Sequence, residues 1–193
     1  MNRILRISAA AAALALAVPA SAQQSTSATP AKVGIGIGFT HGPMSTGTEI
    51  FVPINVSPNL RVEPLLGFDS VSLDDYFGKQ SETIFGAGLF WVGPLGGQAQ
   101  LYAGGRLALH WVSQTAAGLN PDKAKRHDTL IGAVLGAEYL PHPRVALGAE
   151  GMVGHVFIGD TEVTDGVTGV KRSAGSGDEN ATQGMLFVRI YIF

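Results

Sequence analysis

Small and large residues alternate with a period of two along most of this sequence. Between Val33 and Phe39 every odd position holds Val, Ile or Phe, and every even position holds Gly. A period of two places successive side chains on opposite faces of a β-strand, whereas a helical pattern repeats about every 3.6 residues. The alternation therefore predicts an all-β fold.

Eight segments carry this alternation. Their predicted bounds are Lys32–Thr40, Thr48–Val56, Leu60–Asp69, Ser81–Val92, Gln98–Val112, Asp128–Leu140, Arg144–Ile158 and Ala181–Phe193. Short connections that contain proline take turns with long polar connections. Such a chain is expected to run up and down as a meander, with short turns at one end and long loops at the other.

The two faces of the segments differ in the size of their side chains. In the fifth segment Leu107, Leu109 and Trp111 share one face, while Arg106 and His110 share the other. Throughout the chain glycine lies on the charged face, which suits the inside of a narrow barrel of eight strands. A soluble barrel would bury the aliphatic side chains instead. The sequence therefore predicts an eight-stranded antiparallel up-and-down transmembrane β-barrel.

Aromatic residues on the apolar face gather near the ends of the predicted strands. This is the arrangement of the two aromatic girdles at the interfaces of a membrane. The predicted girdle beside the long loops contains Phe39, Phe68, Phe85, Trp111 and Phe157, and the one beside the short turns contains Trp91 and Tyr139.

Register gives a test of the face assignment. Outward residues of the second and third segments all have even numbers, which requires a connection of odd length such as Ser57–Asn59. Pro53 and Pro64 lie inside these two segments, where proline cannot donate a hydrogen bond to a neighbouring strand. We expect a bulge or a local splay at these prolines.

The N-terminus predicts a secretion signal. Arg3 and Arg6 precede an apolar stretch that is too short to span a membrane, and Ala20-Ser21-Ala22 follows as a small-residue cleavage pattern. We therefore expect a cleaved signal at residues 1–22, a short segment at 23–31 and one barrel domain at 32–193. The chain has no cysteine and no basic cluster typical of a nucleic-acid binder.

The last segment is apolar on both faces and carries one charge, Arg189, together with the aromatic residues Tyr191 and Phe193. With the signal, the eight strands and the two girdles, it resembles the small eight-stranded outer-membrane barrels of Gram-negative bacteria, the OmpA-like and OmpX-like superfamily. The resemblance implies that the last strand pairs with the first. It also implies a porin-like monomer in the outer membrane, in contact with membrane lipid, lipopolysaccharide and the outer-membrane assembly machinery.

The inward face of the predicted barrel carries a set of opposite charges. Unpaired charges are costly in a narrow bore, so these residues are predicted to form an ion network that plugs the lumen, and a gated pore is the alternative. Arg189 is expected to point inward, with a bulge near residues 190–191 that returns Phe193 to the interface. The predicted network contains Arg61, Glu63, Arg106, Glu138, Arg144, Glu150 and Arg189.

Four polar residues are expected to face inward near the mouth of the barrel. They are Asp69, Glu82, His110 and Asp128, a set that suits either metal binding and acid–base chemistry or an ordinary solvated mouth. His155 faces outward near the loops, but its neighbours Val153 and Phe157 have no hydroxyl group. We therefore predict no catalytic set, no metal and no cofactor.

Two long loops have features of their own. Asn120 and Pro121 predict a short helical turn, and Lys123, Lys125 and Arg126 form a basic cluster beside lipopolysaccharide phosphates or in solvent. Residues 169–180 are predicted to be mobile. The sequence favours a non-enzymatic outer-membrane barrel with a structural or surface-interaction role. A lipid A-modifying enzyme and a narrow solute pore remain alternatives.

Overall fold

The structure is a computed structural model that describes residues 33–42, 46–72, 78–119 and 121–192. The predicted signal at 1–22, the segment at 23–31, Asn120 and Phe193 lie outside the described residues. Among those residues no helix is long and apolar enough to cross a membrane.

The described residues form eleven strands. They are β1 (Gly34–His41), β2 (Thr46–Phe51), β3 (Ile54–Ser57), β4 (Leu60–Ser72), β5 (Lys79–Gly96), β6 (Ala99–Thr115), β7 (Lys123–His142), β8 (Val145–Ile158), β9 (Thr161–Thr164), β10 (Lys171–Ala174) and β11 (Gly177–Tyr191).

Antiparallel pairing closes these strands into a ring. The order is β1, β2, β4, β5, β6, β7, β8 and β11, and β11 pairs again with β1 along eight residue pairs. β3 continues β2 along the same edge of β4, so the two form one wall strand. The predicted all-β, eight-stranded antiparallel barrel and the pairing of its last strand with its first are confirmed. β9 and β10 form a hairpin that extends the sheet from β7.

The stagger of the ring can be read from the register. A row of cross-strand partners that leaves β7 at Tyr139 passes once around the barrel and returns to β7 at Thr129, ten residues earlier on that strand. The row runs through Tyr139, Leu147, Val188, Ile37, Ile50, Leu66, Phe85, Leu109 and Thr129. With ordinary strand spacings, this stagger tilts the strands by about 40°. The bore of such a barrel is wide enough only for its own side chains.

The predicted faces agree with the exposure of the side chains. In β1 buried and exposed residues alternate without a break, with the glycines inside. The aromatic residues of the two predicted girdles all lie on the outer surface, between 38% and 62% exposed; they are Phe39, Phe68, Phe85, Trp91, Trp111, Tyr139 and Phe157. The outer surface is therefore apolar, as membrane lipid requires.

Pro53 and Pro64 each cost the wall one hydrogen bond. Gly34 donates to the Pro53 carbonyl at 3.0 Å and Val52 donates to the Pro64 carbonyl at 2.9 Å, but neither proline nitrogen can donate back. The second wall strand is interrupted at Val52 and Pro53, as expected. At Pro64 the distortion is confined to one side of β4: the β4–β5 ladder runs through this residue without a register shift, but the ladder to the second wall strand is interrupted opposite it.

The short turns correct one predicted detail. Each connects its strands through two residues, Pro58–Asn59, Gly97–Gln98 or Pro143–Arg144, with a register shift just before it. A three-residue loop was predicted at Ser57–Asn59, but the structure has a two-residue turn preceded by a register shift. The shift keeps the same face outward on both strands, as a loop of odd length would. Gly96 and Gly97 adopt φ angles of +120° and +57°, which glycine tolerates.

One loop prediction was wrong. Residues 123–127 are the start of β7 rather than a helical turn, because their side chains continue the alternation of the strand above the membrane. The segment 169–180, which was predicted to be mobile, contains β10 and the first residues of β11. Strand pairing therefore continues well beyond the apolar part of the wall on this side.

Leu107→Arg tests the assignment of the faces. Leu107 is 51% exposed on the outer surface in the middle of β6, so a basic residue there should destabilise the protein by about 2–4 kcal/mol in lipid. Equilibrium unfolding in urea from phosphatidylcholine vesicles, followed by tryptophan fluorescence, measures the change.

Leu119→Arg is the matched control, because Leu119 is fully exposed outside the strands. This variant should unfold like the parent protein. Equal destabilisation by the two substitutions would contradict the lipid-facing position of Leu107.

Candidate functional site

Arginine and glutamate side chains alternate along one continuous chain of contacts through the lumen. Its centre is Arg189, whose two terminal nitrogens donate to Glu63 and Glu138 at 2.6 Å each. Glu138 also accepts from Arg61 at 2.6 Å. These four residues are 2% exposed or less, so the pairs are cut off from solvent.

The chain of contacts continues from Glu63 toward the long-loop end. Arg106 donates to Glu63 at 3.3 Å and forms a short ion pair with Glu150. Tyr102 donates its hydroxyl to Glu150 at 2.8 Å. At the other end Arg61 donates to Asn55 and to the Tyr191 hydroxyl, at 3.1 and 2.9 Å. The strands β4, β6, β7, β8 and β11 are thus connected across the bore as well as around it.

Arg189 is also enclosed by aromatic rings. Its guanidinium carbon lies 4.1 Å from the ring centre of Phe187, 4.9 Å from that of Phe51 and 5.0 Å from that of Tyr102. These distances are within cation–π range. Glycine makes room for the rings, because a Cβ at Gly36 would overlap the Phe51 ring.

The structure places Arg189 inward, but without the predicted bulge. Phe187 and Tyr191 share its face and are buried in the lumen, and the β1–β11 register runs unbroken to Tyr191. The last strand can be apolar on both faces because its inward aromatic residues pack around the arginine.

Arg144 does not belong to the network. It occupies the exposed turn between β7 and β8, where its side chain is outside the bore. Arg144 was predicted to point inward because the inward residues of β8 have even numbers. The strand begins only at Val145, so this alternation does not extend to Arg144. The other predicted members, Arg61, Glu63, Arg106, Glu138, Glu150 and Arg189, are all buried.

Glu49 is a buried lumen carboxylate that the sequence analysis missed. It lies on the inward face of β2, 3% exposed, and accepts from Gln183 at 3.2 Å. Its second oxygen has no hydrogen-bond partner, and neither has the Nε atom of Arg106. Glu49 lies two positions before the inward residue Phe51, so the alternation of the strand predicts the same face for both.

Glu49 changes the charge balance of the lumen. Among the described residues, the buried arginines are Arg61, Arg106 and Arg189, and the buried glutamates are Glu49, Glu63, Glu138 and Glu150. One carboxylate is in excess, and Glu49 is the one without an ion pair. It lines a small cavity with Arg106 and Gln183.

The predicted mouth cluster assembles only in part. The His110 ring contacts Glu82 at 3.1 Å through Nε2 and Asp128 at 3.7 Å through Nδ1, and Asp128 also pairs with Arg126 at 2.9 Å. Asp69 is half-buried at the position on β4 that pairs with Glu82, and no ion pair within the described residues includes it. The described residues contain no group of three or more His, Asp or Glu side chains arranged to hold a metal ion.

His155 lies on the outer surface and has both ring nitrogens engaged. Nδ1 contacts Asn180 Oδ1 at 3.1 Å and Nε2 contacts Asp178 at 3.3 Å. A general base needs a nitrogen free for the proton that it removes. This arrangement therefore does not activate a nucleophile.

Comparison with known proteins places the chain among membrane barrels. A family model described as "Outer membrane protein beta-barrel domain" matches residues 8–177. Neisserial surface protein A has a similar structure, with a TM-score of 0.57 and 15% identity over 83% of this chain and 96% of that one. A major outer membrane protein from Thermus thermophilus gives a TM-score of 0.56 and 16% identity, over 83% and 98%. At these identities the similarity concerns the fold alone. No curated protein matches the sequence.

Substitution of two lumen glutamates by glutamine tests the charge balance. Glu63→Gln removes a carboxylate shared by Arg189 and Arg106, so it should destabilise the protein by about 3–5 kcal/mol. Glu49→Gln removes the carboxylate in excess and should leave stability unchanged or raise it.

Both variants are measured by unfolding in urea from lipid vesicles. They change the same atoms at two buried positions of one lumen, so each serves as the control for the other. An equal loss of stability in the two variants would show that Glu49 is a paired charge.

Proposed function

Since the chain belongs to the outer membrane protein beta-barrel family, we propose that it acts as a non-enzymatic barrel whose lumen is closed and whose long-loop side interacts with other surfaces. The observation that carries the proposal is the chain of buried ion pairs from Arg61 to Glu150, which fills the bore. The location in the outer membrane follows from the family.

A closed lumen is supported by the way in which each arginine is held. Arg189 has two carboxylate partners and three aromatic rings around it, and none of its surface is accessible. To open a path for ions, at least one such charge would have to leave its partners in a medium of low dielectric constant, which costs several kcal/mol. Passage of solutes is therefore the less favoured function.

A surface role is supported by the shape of the long-loop side. β5, β6 and β7 continue beyond the ends of β1 and β8, and β9 and β10 widen this projection. The projecting sheet presents exposed polar side chains on strands whose lower parts are anchored in the wall. One structure with the same fold is named a surface protein, which fits this role.

Lipid modification is less well supported. It would need a nucleophile beside a free base on the outer wall, and the contacts of His155 with Asn180 and Asp178 occupy both of its ring nitrogens. The mouth histidine, His110, is buried between Glu82 and Asp128 and lies on the inner face, away from lipid.

Planar bilayer recording separates the closed barrel from the pore. The refolded protein should migrate faster on a gel before boiling than after it, as a folded barrel does, and should give no single-channel current. A variant with Arg61→Ser and Arg189→Ser, checked for the same migration, should conduct because the plug is broken. Current steps from the parent protein would overturn the closed lumen.

Overexpression in a Gram-negative host tests the enzyme alternative. The mass spectrum of lipid A should be the same with and without the protein. A change in mass that is lost in a His155→Gln variant would favour the enzyme over the structural role.

A further inference from the structure

Three lysines that are far apart in the sequence lie in one row across the projecting sheet. Lys79 pairs with Thr115, Thr115 with Lys123, Lys123 with Thr164, and Thr164 with Lys171. Direct cross-strand partners point to the same face of a sheet. We call these five residues the lysine row.

The lysine row faces outward, like the lipid-exposed wall below it. Trp111 is on the outer surface, and Thr115 lies four residues further along β6 on the same face. Lys125 adds a fourth lysine to this face, two residues before His127, which pairs with Trp111. All four lysines are exposed.

The height of the lysine row matches the headgroup layer of a membrane. Trp111, which lies below Thr115 on the outer face of β6, belongs to the girdle that marks the edge of the hydrocarbon. Four residues of strand extend about 13 Å, which becomes about 10 Å along the axis of a barrel tilted by about 40°. A lysine side chain bends back from there into the headgroups.

The charge of this face is positive and largely unpaired. Glu162 is its one acidic residue in the described projection, and it pairs with Lys171 at 2.8 Å. The hydrogen bond from Lys171 lowers the pKa of Glu162, so this carboxylate stays charged and neutralises that lysine. Lys79, Lys123 and Lys125 form no ion pair with any described residue.

The four lysines share one face of the projecting sheet. Arg126 points to the inner face, where it pairs with Asp128, so it is not part of the basic cluster predicted from the sequence. Asp178 also faces outward, on β11 two strands from β7, and its carboxylate contacts His155 at 3.3 Å.

We propose that the lysine row and Lys125 bind the phosphate groups of lipid headgroups in the outer leaflet. This inference rests on the proposed surface-interaction role of the long-loop side and adds a specific lipid partner to it. Lys79 and Lys123 are two strands apart, about 10 Å, which lets one headgroup with two phosphates contact both. Thr115 places a hydroxyl donor between them. Ammonium groups bind phosphate as point charges without a fixed geometry, which suits a fluid partner.

Binding of a defined glycolipid tests the proposal. The barrel in a neutral detergent is titrated with bisphosphorylated lipid A, with its dephosphorylated form or with inorganic phosphate, and bound lipid is counted by native mass spectrometry. The parent protein should prefer the bisphosphorylated form at least tenfold, and Lys123→Gln with Lys125→Gln should weaken that binding roughly tenfold or more. Inorganic phosphate should neither bind at comparable concentration nor compete.

The matched control removes two positive charges that do not lie on this face. Arg172 is on the opposite face of β10 from Lys171, and Arg144 is in a turn at the other end of the barrel. Arg144→Gln with Arg172→Gln should keep the affinity within about twofold, since net charge alone is not the cause. An equal loss in the control, or no loss in the lysine variant, would overturn the site.

Folding of each sample is checked by its migration before and after boiling. Loss of the migration shift in the parent protein would refute the barrel itself, whereas loss of lipid preference in a folded parent would refute only the lipid site. Lys79→Gln with Lys123→Gln is the second test variant if the first does not refold. Binding of inorganic phosphate as tightly as lipid would also contradict recognition of a headgroup.

Discussion

The whole structure depends on hydrogen bonding between the first strand and the last. In hydrocarbon an unpaired backbone group has no water to bond with, so an open sheet cannot cross a membrane. β1 and β11 meet along eight residue pairs, and this contact removes the two edges that would otherwise remain. The wall tolerates Pro53 and Pro64 because each removes one donor while its carbonyl stays bonded to a neighbouring strand.

Closure in turn dictates what the interior must contain. Eight strands with a stagger of ten residues leave a bore that side chains fill, and β1 supplies glycines so that the Phe51 ring fits inside. Buried ion pairs add little stability over apolar packing, so packing alone does not explain why the bore is charged. Polar inward residues do keep each strand from being apolar on both faces. In the last strand, Arg189 interrupts a run that would otherwise contain no polar break, and its pairs with Glu63 and Glu138 compensate its charge after folding.

The sequence was sufficient to predict the faces but not the partners. A period of two fixes which side of the wall a residue occupies, so Arg61, Glu138 and Arg189 could be assigned to the lumen from parity. Which glutamate each arginine meets depends on the tilt of the strands, because the contacts cross the bore between strands that are not neighbours. Arg144 was misplaced for a related reason: parity holds only within a strand, and the strand begins one residue later. Glu49 obeyed parity and was overlooked.

The same dependence on register explains why only part of the lysine row could be predicted from the sequence. Lys123 and Lys125 are close in the chain, but Lys79 and Lys171 join them only through the ladders of β5, β6, β7, β9 and β10. Arg126 is close to both lysines in sequence but lies on the opposite face of the sheet. Successive residues of a strand point to opposite faces, as Arg106 and Leu107 also do. A wall held by its ladders and by the ion pairs across its bore fixes the spacing of these lysines, so the lumen network and the outer lysines are two consequences of one register. Function in such a barrel is then expected on the outside of the projecting sheet, where the strands still hold side chains in place after the membrane has ended.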